Sequence, residues 1–442
     1  MIDADYFDQF FSRACSHLAA GDELLGSVAG EDTDFVRFNH GAVRQAGSVS
    51  QTEVHLELIR GARHATASLP LALDPAIDDA RVRQILSTLA EHLPSLPEDP
   101  FLLYNTEIES TEVLGGNDIP DTDAAIADIR SGADGGDLVG IYTAGETCSG
   151  FANSLGQRNW FQTSSFIFDW TMYLRDDKAA KNNYAGFQWD DDAFAAKVAW
   201  SKQQLAALER TPIDLAPGDY RTYLAPAAVQ SYIELIGYYA FGEKSYRTMR
   251  SPLIKMVADG ATLAAGTRIV EDTVGGTAPN FQEQGYLRPD EVVLVDGGAF
   301  SGSLVSPRTA SEYDLITNGA AADESPQSLA IAPGSLAHDN AAQALDKGLY
   351  VGNLWYTNFS DRPACRVTGM TRFATFWVEG GEVVAPVNVL RFDDSIYRMF
   401  GSELVDFTDQ AELILDASTY TARSNASFQL PGALLNELKF TL

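Results

Sequence analysis

Cysteine is almost missing: Cys15, Cys148 and Cys365 lie far apart in a chain of 442 residues. Odd in number and without a C-x-x-C pair, they support no disulfide framework. Histidine is equally sparse, at His17, His40, His55, His64, His92 and His338, and no two share a metal-binding spacing on one helix. His55 and His64 are placed to face each other across a hairpin, although a surface strand explains them as well. Lysine occurs only at 178, 181, 197, 202, 244, 255, 347 and 439, and the formal net charge is -30. Such a surface repels phosphate backbones, so direct nucleic-acid binding is not expected. Two readings of the acidity stand: solubility in a salty interior, or mimicry of DNA toward a DNA-binding enzyme. The scattering of the acids favours the first. No apolar run approaches the roughly 20 residues that cross a bilayer. The N-terminal "MIDADYFDQFFSRACSHLAAGDELLG" carries acids where a signal peptide carries bases. The expectation is a cytoplasmic protein. Glycine-rich "GGTAP" and "VDGGAFSG" lack the Lys-Ser/Thr of a phosphate loop, and "GSVSQ" and "GSLVS" are not nucleophile elbows.

What is present is an ordinary globular composition, 45% hydrophobic, in a chain too long for one compact core. The fold class expected is α+β, with antiparallel sheet and packed helices in each of two domains, 1–212 and 213–442. The boundary falls near Arg210–Asp219, in the linker-like "TPIDLAPGDY". A first helix is expected over Asp5–Ala20. Period-two alternation from Asp34 to Leu69 predicts consecutive strands, with Val54, Leu56 and Leu58 on one side and His55, Glu57 and Ile59 on the other. Helices follow at Ala76–His92 and Asp121–Ser131. A meander then puts Phe166, Phe168 and Trp170 on one strand face. The segment Trp189–Arg210 reads as a helix with acids in its first turn, as its dipole prefers. Gly380-Gly381 inside "RFATFWVEGGEVVAPVNVLRF" predicts a two-residue hairpin turn.

The stretch "SYIELIGYYAFGE" (Ser231–Glu243) bears most directly on chemistry. Pro226 suits the start of this helix and Gly242 its stop. Val229, Tyr232, Ile233, Ile236 and Ala240 fall at core spacing. It has the outline of a zinc-peptidase helix, with a buried-looking Glu234, yet it contains no histidine.

Several segments together resemble the TldD/PmbA family, also called modulators of DNA gyrase or U62 peptidases. They are the hairpins of "GAVRQAGSVSQTEVHLELIRGARHATAS", the turn "NSLG" (Asn153–Gly156), "GGAFSGSLVSPRTASEYDLITNGAA" and "TGMTRFATFWVEGGEVVAPV". The catalytic TldD type carries His-Glu-x-x-x-His on the first helix of its C-terminal domain. Two histidines hold zinc there, the glutamate acts as base on bound water, and a later cysteine is the third protein ligand. On that motif this chain has Ile233 for the first histidine, keeps Glu234, and has Tyr238 for the second. The resemblance therefore implies a PmbA/TldE-like, non-catalytic member with no metal of its own. It also implies a zinc-bearing TldD-type partner, a homo- or hetero-oligomer, and an extended, unfolded or leader peptide as substrate. Glu234 is then a vestigial acid, or a helix glutamate solvated or paired with Arg247 or Arg250. Cys365 is better read as a small buried hydrophobe than as the third ligand. Two alternatives remain: a stand-alone peptidase with an atypical metal site around Glu234, and an acidic modulator of gyrase.

Overall fold

The computed structural model describes residues 1–116, 118–175 and 178–441. Helix α1 (Ala4–Ser16) starts under Asp3, whose carboxylate accepts the Tyr6 N–H at 2.7 Å. It buries Phe7, Phe10, Phe11 and Ala14 and ends before the expected Ala20, the chain turning back at Gly21 with φ +85°. Strand β1 (Glu23–Asn39) begins at Glu23 rather than at Asp34. Its glycines make room for α1 and its surroundings. A Cβ at Gly26 would lie 2.5 Å from the Phe11 ring, and one at Gly30 would lie 2.9 Å from the Cys148 sulfur. Loop-like composition here reflects close packing, not a loop.

Strands β2 (Ala42–Arg60) and β3 (Arg63–Pro70) follow through tight hairpins. After α2 (Pro75–His92) come β4 (Thr111–Leu114), α3 (Thr122–Gly132), β5 (Asp137–Asn153), β6 (Arg158–Arg175), β7 (Lys178–Gly186) and α4 (Asp191–Leu208). The seven strands form one sheet in the order β3-β2-β1-β5-β6-β4, with β7 sharing the outer edge of β6. The long strands are covered twice on the same face. At one end Leu24, Val28, Val54, Leu56, Leu58 and Trp160 pack under α1 and α2. At the other, Val36, Phe38, Tyr142, Phe166, Phe168 and Trp170 pack under α3 and α4. Phe168 stacks on Trp170 with centroids 4.7 Å apart, so the expected aromatic face exists. Asp190 caps α4 by accepting the Ala193 N–H, which explains the acids of "WDDDAF".

The second half opens with β8 (Gly218–Leu224) and α5 (Pro226–Ala240), then α6 (Glu243–Arg247) and α7 (Ile254–Ala258). Short strands β9 (Ile269–Asp272), β10 (Glu291–Asp296) and β11 (Ala299–Phe300) precede α8 (Pro307–Tyr313), β12 (Ser328–Ile331) and α9 (Ala341–Leu345). The last six strands are β13 (Gly348–Asp361), β14 (Arg366–Glu379), β15 (Glu382–Pro386), β16 (Arg391–Ser395), β17 (Leu404–Leu415) and β18 (Ser427–Phe440). They join an eleven-stranded, mostly antiparallel sheet in which β8 pairs with both β13 and β18. Strands β8, β13, β14, β16 and β18 thus close into a ring, and α5 buries its apolar side in the same core. Gly380 and Gly381 take φ +61° and +77° in the β14–β15 turn, the left-handed geometry expected of them. The class is α+β.

The opposite face of the first sheet, carrying Ser27, Glu31, His55 and Ser165, looks toward the second half, where Phe281 packs with Leu25, Ile59, Phe151 and Phe161. Two of the ties between the halves lie there. The β17–β18 connection, residues 416–426, sends Arg423 into the first sheet. Its guanidinium donates to the Gly145 and Ser165 carbonyls, both at 3.1 Å, and to Ser165 Oγ at 2.6 Å. The Arg423 backbone N–H donates to Glu31 at 3.2 Å. In the second tie, Arg308 binds Asp99, which lies 3.4 Å from His64 Nε2, while His64 Nδ1 meets Glu57. His64 therefore does not face His55. In the register Ile59 opposes His64, and His55 opposes Ser68.

Candidate functional site

The first turns of α5 form one wall of the cleft between the halves. Pro226 occupies the first helical turn, and no side chain caps the helix. Val229, Tyr232, Ile233, Ile236 and Ala240 all turn into the core as the spacing predicts. Gly242 is not a left-handed stop: its φ is -72° and it serves as the N-cap position of α6. The glycine is needed because a Cβ would lie 2.9 Å from the Glu324 side chain, which caps α6 by accepting the Lys244 N–H at 2.8 Å.

Glu234 is exposed rather than buried. It borders a cavity of about 280 Å³ with Ser231, Asp169, Lys181, Trp355 and Asp416. Partial burial by the cavity walls raises its carboxyl pKa above the ordinary 4.5, and the nearby Asp416 charge adds to the shift. Arg247 does not neutralise it, because Arg247 pairs with Glu243 at 2.6 Å. Lys181 instead holds Asp169 across the strand face at 3.1 Å. Ser231 Oγ donates to the Ala227 carbonyl at 3.1 Å. Trp355 carries the Arg372 guanidinium 4.2 Å from its ring centroid.

Of the three zinc-motif positions, Glu234 and Tyr238 border one cavity with Asp416, whereas Ile233 turns away into the core. Ile233 is 1% exposed among Leu, Ile and Phe side chains, whereas Tyr238 is 58% exposed. Tyr238 packs edge-on against Tyr239 at 4.5 Å. Cys365 is fully buried in the core with Tyr232, and burial pushes its thiol pKa well up. Ile233 has no donor atom, and the phenol of Tyr238 is not among the side chains that ordinarily hold zinc. Among the described residues no three of His, Cys, Asp and Glu converge as a metal cage would need. These residues do not fit a zinc ion.

Asp169, Lys181 and Asp416 were not singled out from the sequence. Asp169 and Lys181 sit on the β6–β7 hairpin and Asp416 just past β17, all distant along the chain from Glu234, so no local pattern joined them to it.

A model of the PmbA/TldA metallopeptidase C-terminal domain matches residues 217–442, just over half of the chain. The chain belongs to the TldD/PmbA family. Solved structures similar to this family member agree with it in fold along nearly their whole length. TldE from Thermococcus kodakarensis superposes with a TM-score of 0.76 at 13% identity, covering 99% of this chain and 100% of that one. A protein from Thermotoga maritima described as a candidate modulator of a DNA gyrase gives 0.74 at 14% identity, covering 99% of each chain. One from Bacteroides thetaiotaomicron with a like description gives 0.74 at 13%, covering 99% of this chain and 98% of that one. The comparison with curated proteins gives no match. No helix among the described residues of this TldD/PmbA-family chain is long and apolar enough to cross a membrane.

Proposed function

We propose that this chain is the non-catalytic, PmbA/TldE-type subunit of a cytoplasmic two-chain metallopeptidase. It holds an extended, unfolded or leader peptide in the cleft beside α5, and a TldD-type partner supplies zinc and the hydrolytic step. One observation carries the reading. Where the family's catalytic type has its two histidines, this chain points Ile233 into a hydrophobic core and Tyr238 into solvent. Likeness in fold to TldE adds support for the subunit type. The polar sheet face and the half-polar cavity around Glu234 suit recognition of a peptide backbone, which needs alternating donors and acceptors rather than one deep apolar slot.

The test is reconstitution. The isolated chain, purified without chelators, should contain less than stoichiometric transition metal and should leave a disordered test peptide intact. Adding a TldD-type chain with His-Glu-x-x-x-His should produce a stable complex that cleaves the peptide. Hydrolysis by the isolated chain that is lost in Glu234→Gln would overturn the reading in favour of a stand-alone peptidase.

A second reading, a modulator of gyrase, rests on the descriptions of two structural neighbours and on the net charge of -30. It requires inhibition of supercoiling by the purified chain that disappears as salt is raised.

A further inference from the structure

A second cavity, of about 510 Å³, adjoins the Glu234 cavity. The two share Lys181, Asn183 and Ala227 in their walls. The larger one lies between α4 and the start of α5, and its floor is aromatic. Tyr223 and Tyr350 pack with centroids 5.3 Å apart, and Trp200 meets Tyr350 edge-on at 6.1 Å.

The polar groups here are poorly matched to one another. Gln204 is 5% exposed, lines the cavity, and its Oε1 has no hydrogen-bond partner among the described residues. The buried Nδ1 of His338, another lining residue, has none either. Buried polar atoms left unpaired are costly, so such a pair marks a place where something polar belongs. Lys197 Nζ holds Glu412 at 3.0 Å and keeps further N–H bonds to give. Ala227, in the uncapped first turn of α5, has no intrahelical acceptor for its N–H, and the helix dipole adds positive potential there. In a chain with so few lysines, two of them border this one cavity.

From this set of groups we infer that the cavity between α4 and the start of α5 binds the C-terminal residue of the extended peptide. Its carboxylate lies against Lys197 and the amino end of α5, and its side chain lies on Trp200, Tyr223 and Tyr350. The last amide N–H of the peptide finds the free Gln204 Oε1. Chain direction follows: the carboxyl end sits beside α4 and the peptide runs back past Ser231 toward Glu234. The inference rests on the peptide-holding role proposed above and adds an end and a polarity to it.

The test uses the full chain and an N-acetylated, uncharged twelve-residue peptide ending in phenylalanine, made as the free acid and as the C-terminal amide. Binding is followed by calorimetry and by tryptophan emission. The acid should bind about tenfold tighter than the amide, the scale of one charge-assisted contact. Lys197→Met should erase that ratio, with an unchanged far-ultraviolet circular dichroism spectrum showing the variant to be folded. Gln204→Leu should weaken acid and amide alike. Equal affinity of acid and amide overturns this assignment and leaves the peptide-holding role standing. No binding of either peptide overturns both.

Discussion

The sharpest consequence of the α5 geometry concerns putting a histidine back at position 233. Ile233 is 1% exposed and part of the hydrophobic core of the second half. Ile233→His gives up the burial of an aliphatic side chain, about 1.5–3 kcal/mol. It also leaves an imidazole nitrogen without a partner, at a further cost of about 1–3 kcal/mol. The expected destabilisation is therefore about 2.5–6 kcal/mol, read as a lower urea midpoint by fluorescence and circular dichroism together. Burial disfavours the charged imidazole, so the folded-state pKa falls below the unfolded value of about 6.5. The unfolded chain then binds the extra proton first, and the loss should deepen as pH falls below about 6.5. Tyr238→His, on the surface, should change stability by less than about 0.5 kcal/mol. The double variant should take up no zinc after dialysis against the metal. A double variant as stable as the parent and carrying one zinc per chain would show that α5 turns a metal-competent face to the cleft, and the argument from Ile233 would fail.

Three further outcomes follow from other sites. Glu234 has a raised pKa, so its ionisation opposes folding as pH climbs from about 4.5 through the folded value. Glu234→Gln should gain stability over the parent at pH 7 and gain nothing at pH 4, in paired denaturation curves. Gly26→Ala drives a methyl to within 2.5 Å of the Phe11 ring. A loss of about 1–3 kcal/mol is expected, and restoring it with Phe11→Leu would place the cause at that contact. Arg423→Met strips the Gly145 and Ser165 carbonyls of their donor. The expected cost is about 2–4 kcal/mol, with faster amide exchange confined to the 416–426 connection and its contact on β5 and β6.

Legibility in the sequence tracked how local the deciding physics is. The Gly380-Gly381 turn could be read because only a left-handed pair joins two strands that tightly. The buried stripe of α5 could be read because helical spacing places it. The start of β1 could not: its Gly26 and Gly30 answer to Phe11 and Cys148, which approach from other elements. Gly242 misled for the same reason, its missing side chain being owed to Glu324 rather than to a helix stop. For the candidate site, the sequence marked Glu234 and the two positions lacking histidine. It concealed that Glu234 looks into a cavity, because Asp169 and Lys181 reach it from the β6–β7 hairpin and Asp416 from the β17–β18 connection, all remote from α5 in the chain.

The ring in the second half sets an order of events during synthesis. Gly218 at the start of β8 is a register partner of Phe440 at the end of β18, so the barrel cannot shut until nearly its whole length has left the ribosome. The first sheet, built largely from successive hairpins, has no such wait. In the interval α5 trails with Val229, Tyr232, Ile233 and Ile236 uncovered, a sticky surface that invites chaperones and self-association. Newly made chains truncated before β18 should therefore be found with a folded front and an aggregating tail.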